Sequence, residues 1–197
     1  MPLAKKTEER FTYQDYITWP DDERWELICG VPYNMTPAPT FRHQRIVGNF
    51  YRIIGNKLIG KQCTPGIAPT DVILSERDVV QPDVFVVCDK NKITEKNIQG
   101  APALVIEVLS PSTKLKDKRE KRELYEKYGV QEYVIVDVIE QLVERFYLGK
   151  NNIYGKSDIF TPEENIKLFS LNNMEIILPE VFEYNPRDEN AKKPEHA

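Results

Sequence analysis

The chain has 197 residues, enough for one domain with a real core, and its 41% hydrophobic and 29% charged residues are those of a globular protein in water. No apolar run approaches the roughly 18 residues of a membrane helix, and the charged start from Met1 to Arg10 is unlike a signal peptide, so a cytoplasmic protein without a membrane partner is expected. The net charge of −4 argues against nucleic acid only on average, because the basic residues are concentrated in two segments.

In chain order, Thr12 is placed to cap a short helix that ends near Trp19-Pro20. Arg24 to Met35 reads as a hairpin turning at Cys29-Gly30. Beyond the breaks at Pro37 and Pro39, Val47, Phe50, Ile54 and Leu58 recur at helical spacing. They predict a helix from about Phe41 to Ile59, and His43 extends its apolar stripe toward the N-terminus. From Thr40 to Lys61 this stretch carries five basic residues and no acid. Val72 to Leu74 and Val79 to Val87 read as strands around a turn at Ser75 to Asp78. Leu104 to Leu109 is the most hydrophobic strand of the chain, with Glu107 in its middle.

A second helix, about Lys114 to Tyr128, can be capped by Ser112 or Thr113 and stops at Gly129. It holds seven basic residues against four acidic, which with the first basic stretch makes either a basic face or two ordinary solvated helix faces. Asp117, Lys121, Tyr125 and Tyr128 share its inward stripe. Glu132 to Val138 and Leu142 to Leu148 read as a strand pair, and short strands follow at Lys167 to Leu171 and Met174 to Leu178. The sum is a mixed α/β sheet with helices packed on it, one domain over 12–182, and flexible tails at 1–11 and 185–197. Cys29, Cys63 and Cys88 are odd in number and lie mostly in apolar segments, which points to buried structural thiols rather than a disulfide framework or a zinc site.

Glu107 and Asp83, which follows Pro82, are carboxylates among apolar neighbours, where they persist mainly when a cation or hydrogen bonds meet them. Two of them on neighbouring strands suggest a metal site. The alternatives are that Asp83 merely begins a strand after a turn, and that Glu107 forms a buried structural salt bridge with Lys121.

The ordered series Glu26 and Gly30, His43, Gln81-Pro82-Asp83-Val84, Glu107-Val108-Leu109-Ser110-Pro111-Ser112-Thr113, Asp117, Lys121, Tyr125 and Gly129-Val130-Gln131-Glu132-Tyr133 resembles the PD-(D/E)XK nuclease superfamily. Within it, the chain resembles the Uma-type restriction endonuclease family over about 12–182. The resemblance implies a restriction-endonuclease-like core on a central mixed sheet, with an N-terminal hairpin and extra C-terminal strands. It also implies a metal-dependent endonuclease acting on DNA, in which Asp83, Glu107 and the backbone carbonyl of Val108 hold Mg²⁺ or Mn²⁺. Most of the superfamily has a lysine two residues after the second carboxylate; Leu109 stands there in this chain, and Lys121 is the candidate replacement. Lys121→Ala is expected to remove nuclease activity and to preserve the fold.

Supporting roles fall to Glu26, near the metal or facing solvent, and to His43, in contact with substrate or hydrogen-bonded in the core. Asp117 is expected to tether Lys121 or join the metal shell, and Tyr125 to pack with its hydroxyl toward the site. Arg42, Arg45, Lys114 and Lys118 are expected to contact the nucleic acid, and a homodimer is expected because two strands need two sites. The competing class is a catalytically degenerate nuclease fold that binds nucleic acid or protein.

Overall fold

A computed structural model describes residues 9–20, 22–35, 38–110 and 114–184 of the chain. The caps expected at Ser112 or Thr113, the break at Pro37, and the tails over 1–8 and 185–197 lie outside the described residues. Helix α1 (Tyr13–Tyr16) begins as expected, with Thr12 and Asp15 forming a capping box. Strands β1 (Trp25–Ile28) and β2 (Val31–Asn34) form the expected hairpin. Its two turn residues, Cys29 and Gly30, have φ of 52° and 73°, the positive values that a tight two-residue hairpin turn requires. Thr40 caps helix α2 (Phe41–Leu58), which buries His43, Val47, Phe50, Ile54 and Leu58 on the predicted face.

Strands β3 (Thr64–Ile67), β4 (Val72–Ser75), β5 (Asp78–Val80), β6 (Val84–Val87), β7 (Ile98–Gln99) and β8 (Leu104–Leu109) follow. The single strand expected over Val79 to Val87 is two strands in two sheets. Proline has no amide hydrogen for a sheet ladder, so the run breaks at Pro82 and the chain crosses from one sheet to the other at 81–83. That crossing leaves Asp83 at the junction between the sheets. Strand β3, which was not anticipated, contains Pro65 and Gly66 and is tolerated because it forms a sheet edge. The Phe85 ring lies against Gly66 so closely that a Cβ there would clash with it.

Helix α3 covers residues 114–127: it is α-helical over Lys114–Lys116, π-helical over Asp117–Lys121, and α-helical again over Arg122–Lys127. After it come β9 (Glu132–Asp137), β10 (Leu142–Tyr147), β11 (Asp158–Phe160), β12 (Asn165–Leu168), β13 (Met174–Ile177) and α4 (Leu178–Phe182). One sheet runs β2-β1-β5-β4-β7 and a second runs β11-β10-β9-β8-β6-β3, while β12 and β13 pair separately. The second sheet is mixed, since β8 and β9 are parallel and α3 makes the crossover between them. Along β8, Leu104, Ile106 and Val108 join the core that includes Phe50 and Ile54 of α2. Val105 and Leu109 join the opposite core with Leu124, Tyr125 and Tyr133, so alternation turns Glu107 toward α3.

The cysteine expectation is corrected. Cys63 and Cys88 form a disulfide, and Cys29 is exposed. The β3–β6 register pairs Thr64 with Val87, so its next position sets Cys63 opposite Cys88, a proximity hidden while β3 itself was unrecognised. The bridge spans 25 positions of sequence, and Cys63→Ser is expected to lose about 3 kcal/mol of stability in urea under oxidising conditions. An unchanged unfolding midpoint would rule out that contribution.

Asp78 ties three turns together. Its carboxylate accepts the Cys29 amide at 2.6 Å, the Ser75 hydroxyl at 3.0 Å and the Tyr128 hydroxyl at 2.6 Å, with Lys127 Nζ 3.4 Å away. Burial would raise its pKa, but the bonds from Tyr128, Cys29 and Ser75 and the charge of Lys127 hold it below 3.8. A depressed carboxylate stabilises the fold above its ordinary pKa, and the contribution fades as pH falls through 3.8 and then the lower folded value. Asp78→Asn is therefore expected to cost about 3 kcal/mol near neutral pH. The gap from wild type should close in acid, and a constant gap across the pH range would show that the charge is not its source.

Candidate active site

The β6–β8 register pairs Val84 with Ile106, and its next position places Asp83 opposite Glu107. Asp83 Oδ2 accepts the Val108 amide at 2.8 Å. From the first turn of α2, His43 Nε2 lies 2.8 Å from the Val108 carbonyl oxygen and 3.5 Å from Asp83 Oδ2. Because that carbonyl can only accept, Nε2 is the protonated ring nitrogen. Burial works against a charged His43, yet Asp83 and the Val108 carbonyl outweigh it and leave its pKa raised. His43 Nδ1 is buried with no hydrogen-bond partner among the described residues.

Glu107 is met from α3. Its Oε1 accepts from Lys121 Nζ at 2.8 Å and from the Tyr125 hydroxyl at 2.7 Å. Lys121 Nζ is also 2.7 Å from Glu26 Oε1 and 3.7 Å from Asp117 Oδ1. Glu26 is fully buried, so the hairpin turns it into the site and not to solvent. Its Oε1 also accepts the Gln81 amide at 3.0 Å, and its Oε2 accepts Lys116 Nζ at 2.6 Å.

The π-helical turn explains how two lysines reach one carboxylate. On an uninterrupted α-helix, residues 116 and 121 would advance about 500° and point some 140° apart. The wider π turn carries positions five apart toward one side, and both lysines are buried. Tyr133 donates its hydroxyl to the Asp117 carbonyl at 3.0 Å and braces this turn from β9.

Charge is divided unequally among these groups. Burial would raise the pKa of Glu26, but Lys121 and Lys116 overcome it and hold the carboxyl at about 2. For Glu107 burial wins: with Asp117, Asp83 and Glu26 nearby it outweighs Lys121 and pushes the carboxyl up to about 8. Lys121 stays charged because Glu107, Glu26 and Asp117 offset its desolvation. The Tyr125 hydroxyl, pushed well above its usual pKa by burial and by Glu107, remains a proton donor.

These donors fit a hard divalent cation through oxygen atoms alone. Among the described residues, no group of three or more His, Cys, Asp or Glu side chains forms a metal cluster. What faces the β6–β8 junction is one carboxylate from each strand and a backbone carbonyl, and Mg²⁺ needs only one or two carboxylates because it retains water. Glu26, Glu107 and Asp117 contact the two ammonium groups and Asp83 lies beside His43, so with all four carboxylates ionised and His43 neutral the cluster carries two uncompensated negative charges, which one divalent cation balances.

The structure thus brings together Asp83, Glu107, Lys121, Glu26, His43, Asp117, Tyr125 and the Val108 carbonyl. The expected nucleic-acid contacts are exposed or pair with carboxylates other than those of this cluster. Arg42 is exposed at the start of α2, and Arg45 pairs with Glu183. Lys114 Nζ is 2.8 Å from Asp137 and Lys118 Nζ is 3.1 Å from Glu144. Sequence alone assigns neither Lys116 nor Gln81 a role in the site, although Gln81 stands in the Gln81-Pro82-Asp83-Val84 stretch. No α-helical spacing puts Lys116 with Lys121, and Gln81 acts through its backbone; its side chain meanwhile accepts from Arg24 and donates to Asp71.

Residues 13–178 match the model of a family, Uma2, described as "Putative restriction endonuclease". An uncharacterized protein of Synechocystis sp. is 30% identical over 127 residues, covering 62% of this chain and 66% of that protein. The chain therefore spans slightly less than two thirds of that relative. The crystal structure of "a putative nuclease" from Anabaena variabilis superposes with a TM-score of 0.73 at 17% identity, covering 88% of this chain and 98% of that one. The fold is the expected restriction-endonuclease-like α/β core, with β1–β2 as its N-terminal hairpin and β11 to β13 as its added C-terminal strands.

Proposed function

We propose that this chain, which belongs to the Uma2 restriction-endonuclease family, is a metal-dependent endonuclease that hydrolyses phosphodiester bonds of DNA. The observation that carries this proposal is the approach of Lys121 Nζ to 2.8 Å from Glu107, from a helix, in a chain whose strand has Leu109 where the superfamily it resembles mostly has a lysine. Asp83, Glu107 and the Val108 carbonyl would hold Mg²⁺ or Mn²⁺. Such an ion supplies positive charge at the phosphate and makes water more acidic.

The remaining roles belong to the chain's own groups. Tyr125 and Lys121 fix Oε1 of Glu107, so its other oxygen keeps one orientation. Lys121 gives two N–H groups to Glu107 and Glu26, and the third can orient the attacking water or meet charge developing on the phosphate. His43 and the Val108 amide hold Asp83 against β8. Arg42, Arg45, Lys114 and Lys118 would contact DNA phosphates, the last three by exchanging a carboxylate partner for a phosphate. In this proposal 12–182 is one catalytic domain, two copies pair to cut both strands, and the site of action is the cytoplasm, where reductants meet the Cys63–Cys88 bridge.

A second function is favoured by the same ion pairs. Lys121 between Glu107 and Glu26 is also what a non-catalytic nucleic-acid-binding or protein-interaction scaffold would retain. Supercoiled plasmid incubated with the protein and Mg²⁺ or Mn²⁺ separates the two. Nicked and linear products that vanish with a chelator and with Asp83→Ala support the endonuclease. Salt-sensitive gel shifts without any cleavage support the binding module.

A further inference from the structure

We propose that Lys116 is a positioning residue: by holding Oε2 of Glu26 it leaves Lys121 shared between Glu26 and Glu107. This inference rests on the nuclease role given to Lys121. Lys116 Nζ is 2.6 Å from Glu26 Oε2, and Lys121 Nζ is 2.7 Å from Glu26 Oε1 and 2.8 Å from Glu107 Oε1. Lys121 is therefore divided almost evenly between two carboxylates.

The division needs Lys116. A fully buried carboxylate must be compensated, and the Gln81 amide at 3.0 Å supplies only a dipole. Without Lys116, Lys121 is the one ammonium left on Glu26, and in a site of low polarity it is drawn toward that oxygen pair and away from Glu107. The hairpin holds Lys116 for this task. Its ammonium lies 5.4 Å over the Tyr33 ring centroid and 3.8 Å from Met35 Sδ, and it is itself buried.

The helix is deformed in the segment that makes this possible. A π turn over Asp117–Lys121 replaces the regular α-helical bonds, and its effect is to bring positions 116 and 121 to one carboxylate. Among the described residues Lys116 touches neither Asp83 nor Glu107, so its influence on them passes through Glu26 and Lys121.

Lys116→Met tests the proposal beside Lys116→Met/Glu26→Gln, which removes both members of the pair. In the double variant the amide oxygen still accepts from Gln81 and Lys121, and the amide nitrogen faces the methionine. Two readouts are taken: steady-state plasmid cleavage, and the NMR resonance of the Lys121 side-chain ammonium. The single variant is expected to lose about 100-fold in kcat with KM for DNA unchanged. The Lys121 resonance should shift in the single variant and return in the double, with most of kcat restored. Wild-type kcat in the single variant, a loss that the second substitution does not relieve, or an unmoved Lys121 resonance would each overturn the role of Lys116. If the wild-type protein fails to cleave, the nuclease proposal fails, and the resonance shift and its reversal still decide how Lys116 acts.

Discussion

Lys121→Met is expected to abolish metal-dependent DNA cleavage and to remove about 3–5 kcal/mol of stability in the same protein. Both effects follow from one position. The ammonium is buried at 2% exposure among Glu107, Glu26 and Asp117, so its loss leaves buried carboxylates facing one another with Lys116 alone to balance them. The sequence suggested that Lys121 could be replaced without harm to the fold, but its burial adds a stability cost. Methionine keeps most of the side-chain volume, so the variant reports the charge and not a cavity. Urea unfolding gives the stability loss, and plasmid cleavage below the unfolding transition gives the activity. A folded Lys121→Met protein that cleaves at the wild-type rate would remove Lys121 from the mechanism.

Glu107→Gln is expected to leave the fold nearly intact while weakening divalent-metal binding more than about 100-fold. Glutamine still accepts from Tyr125 and Lys121, and the number of carboxylates paired with the two ammonium groups falls from three to two. The burial of charge, and the repulsion from Asp117, Asp83 and Glu26, that push the Glu107 carboxyl up to about 8 are relieved at the same time. What is lost is an anionic oxygen beside Asp83, the part of the site that a hard cation uses. Calorimetric titration with Mn²⁺ measures this directly: wild type should bind, and Glu107→Gln should not bind in the same range. Equal binding by both would move the metal away from β8.

Much of the site was legible because its chemistry breaks local rules. Glu107 is conspicuous as a carboxylate within a run of Leu, Val and Ile, and Pro82-Asp83 marks the mouth of the neighbouring strand. The stripe of Asp117, Lys121 and Tyr125 follows from helical spacing, and all three are buried as expected. The Cys29-Gly30 turn was readable because few residue pairs accept two successive positive φ values.

Other features depended on geometry that no local pattern encodes. The π turn changes which residues share a face, so Lys116 was read as one more solvated base. Strand β3 contains Pro65 and Gly66, poor strand formers, and exists because β6 offers it an edge; the Cys63–Cys88 bridge then follows from that register. The break at 81–83 separates β5 from β6 although both are apolar, since a missing amide hydrogen outweighs continuous hydrophobicity. Arg45, Lys114 and Lys118 looked free because Glu183, Asp137 and Glu144 are 138, 23 and 26 positions away in the chain.

Cleavage of supercoiled plasmid in Mn²⁺ by the wild-type protein beside Glu107→Gln, purified identically, tests the endonuclease most directly. Nicked and linear DNA should form with the wild type alone. Equal cleavage by the two proteins, or none by either at any divalent-metal concentration, would contradict a catalytic centre built on Glu107.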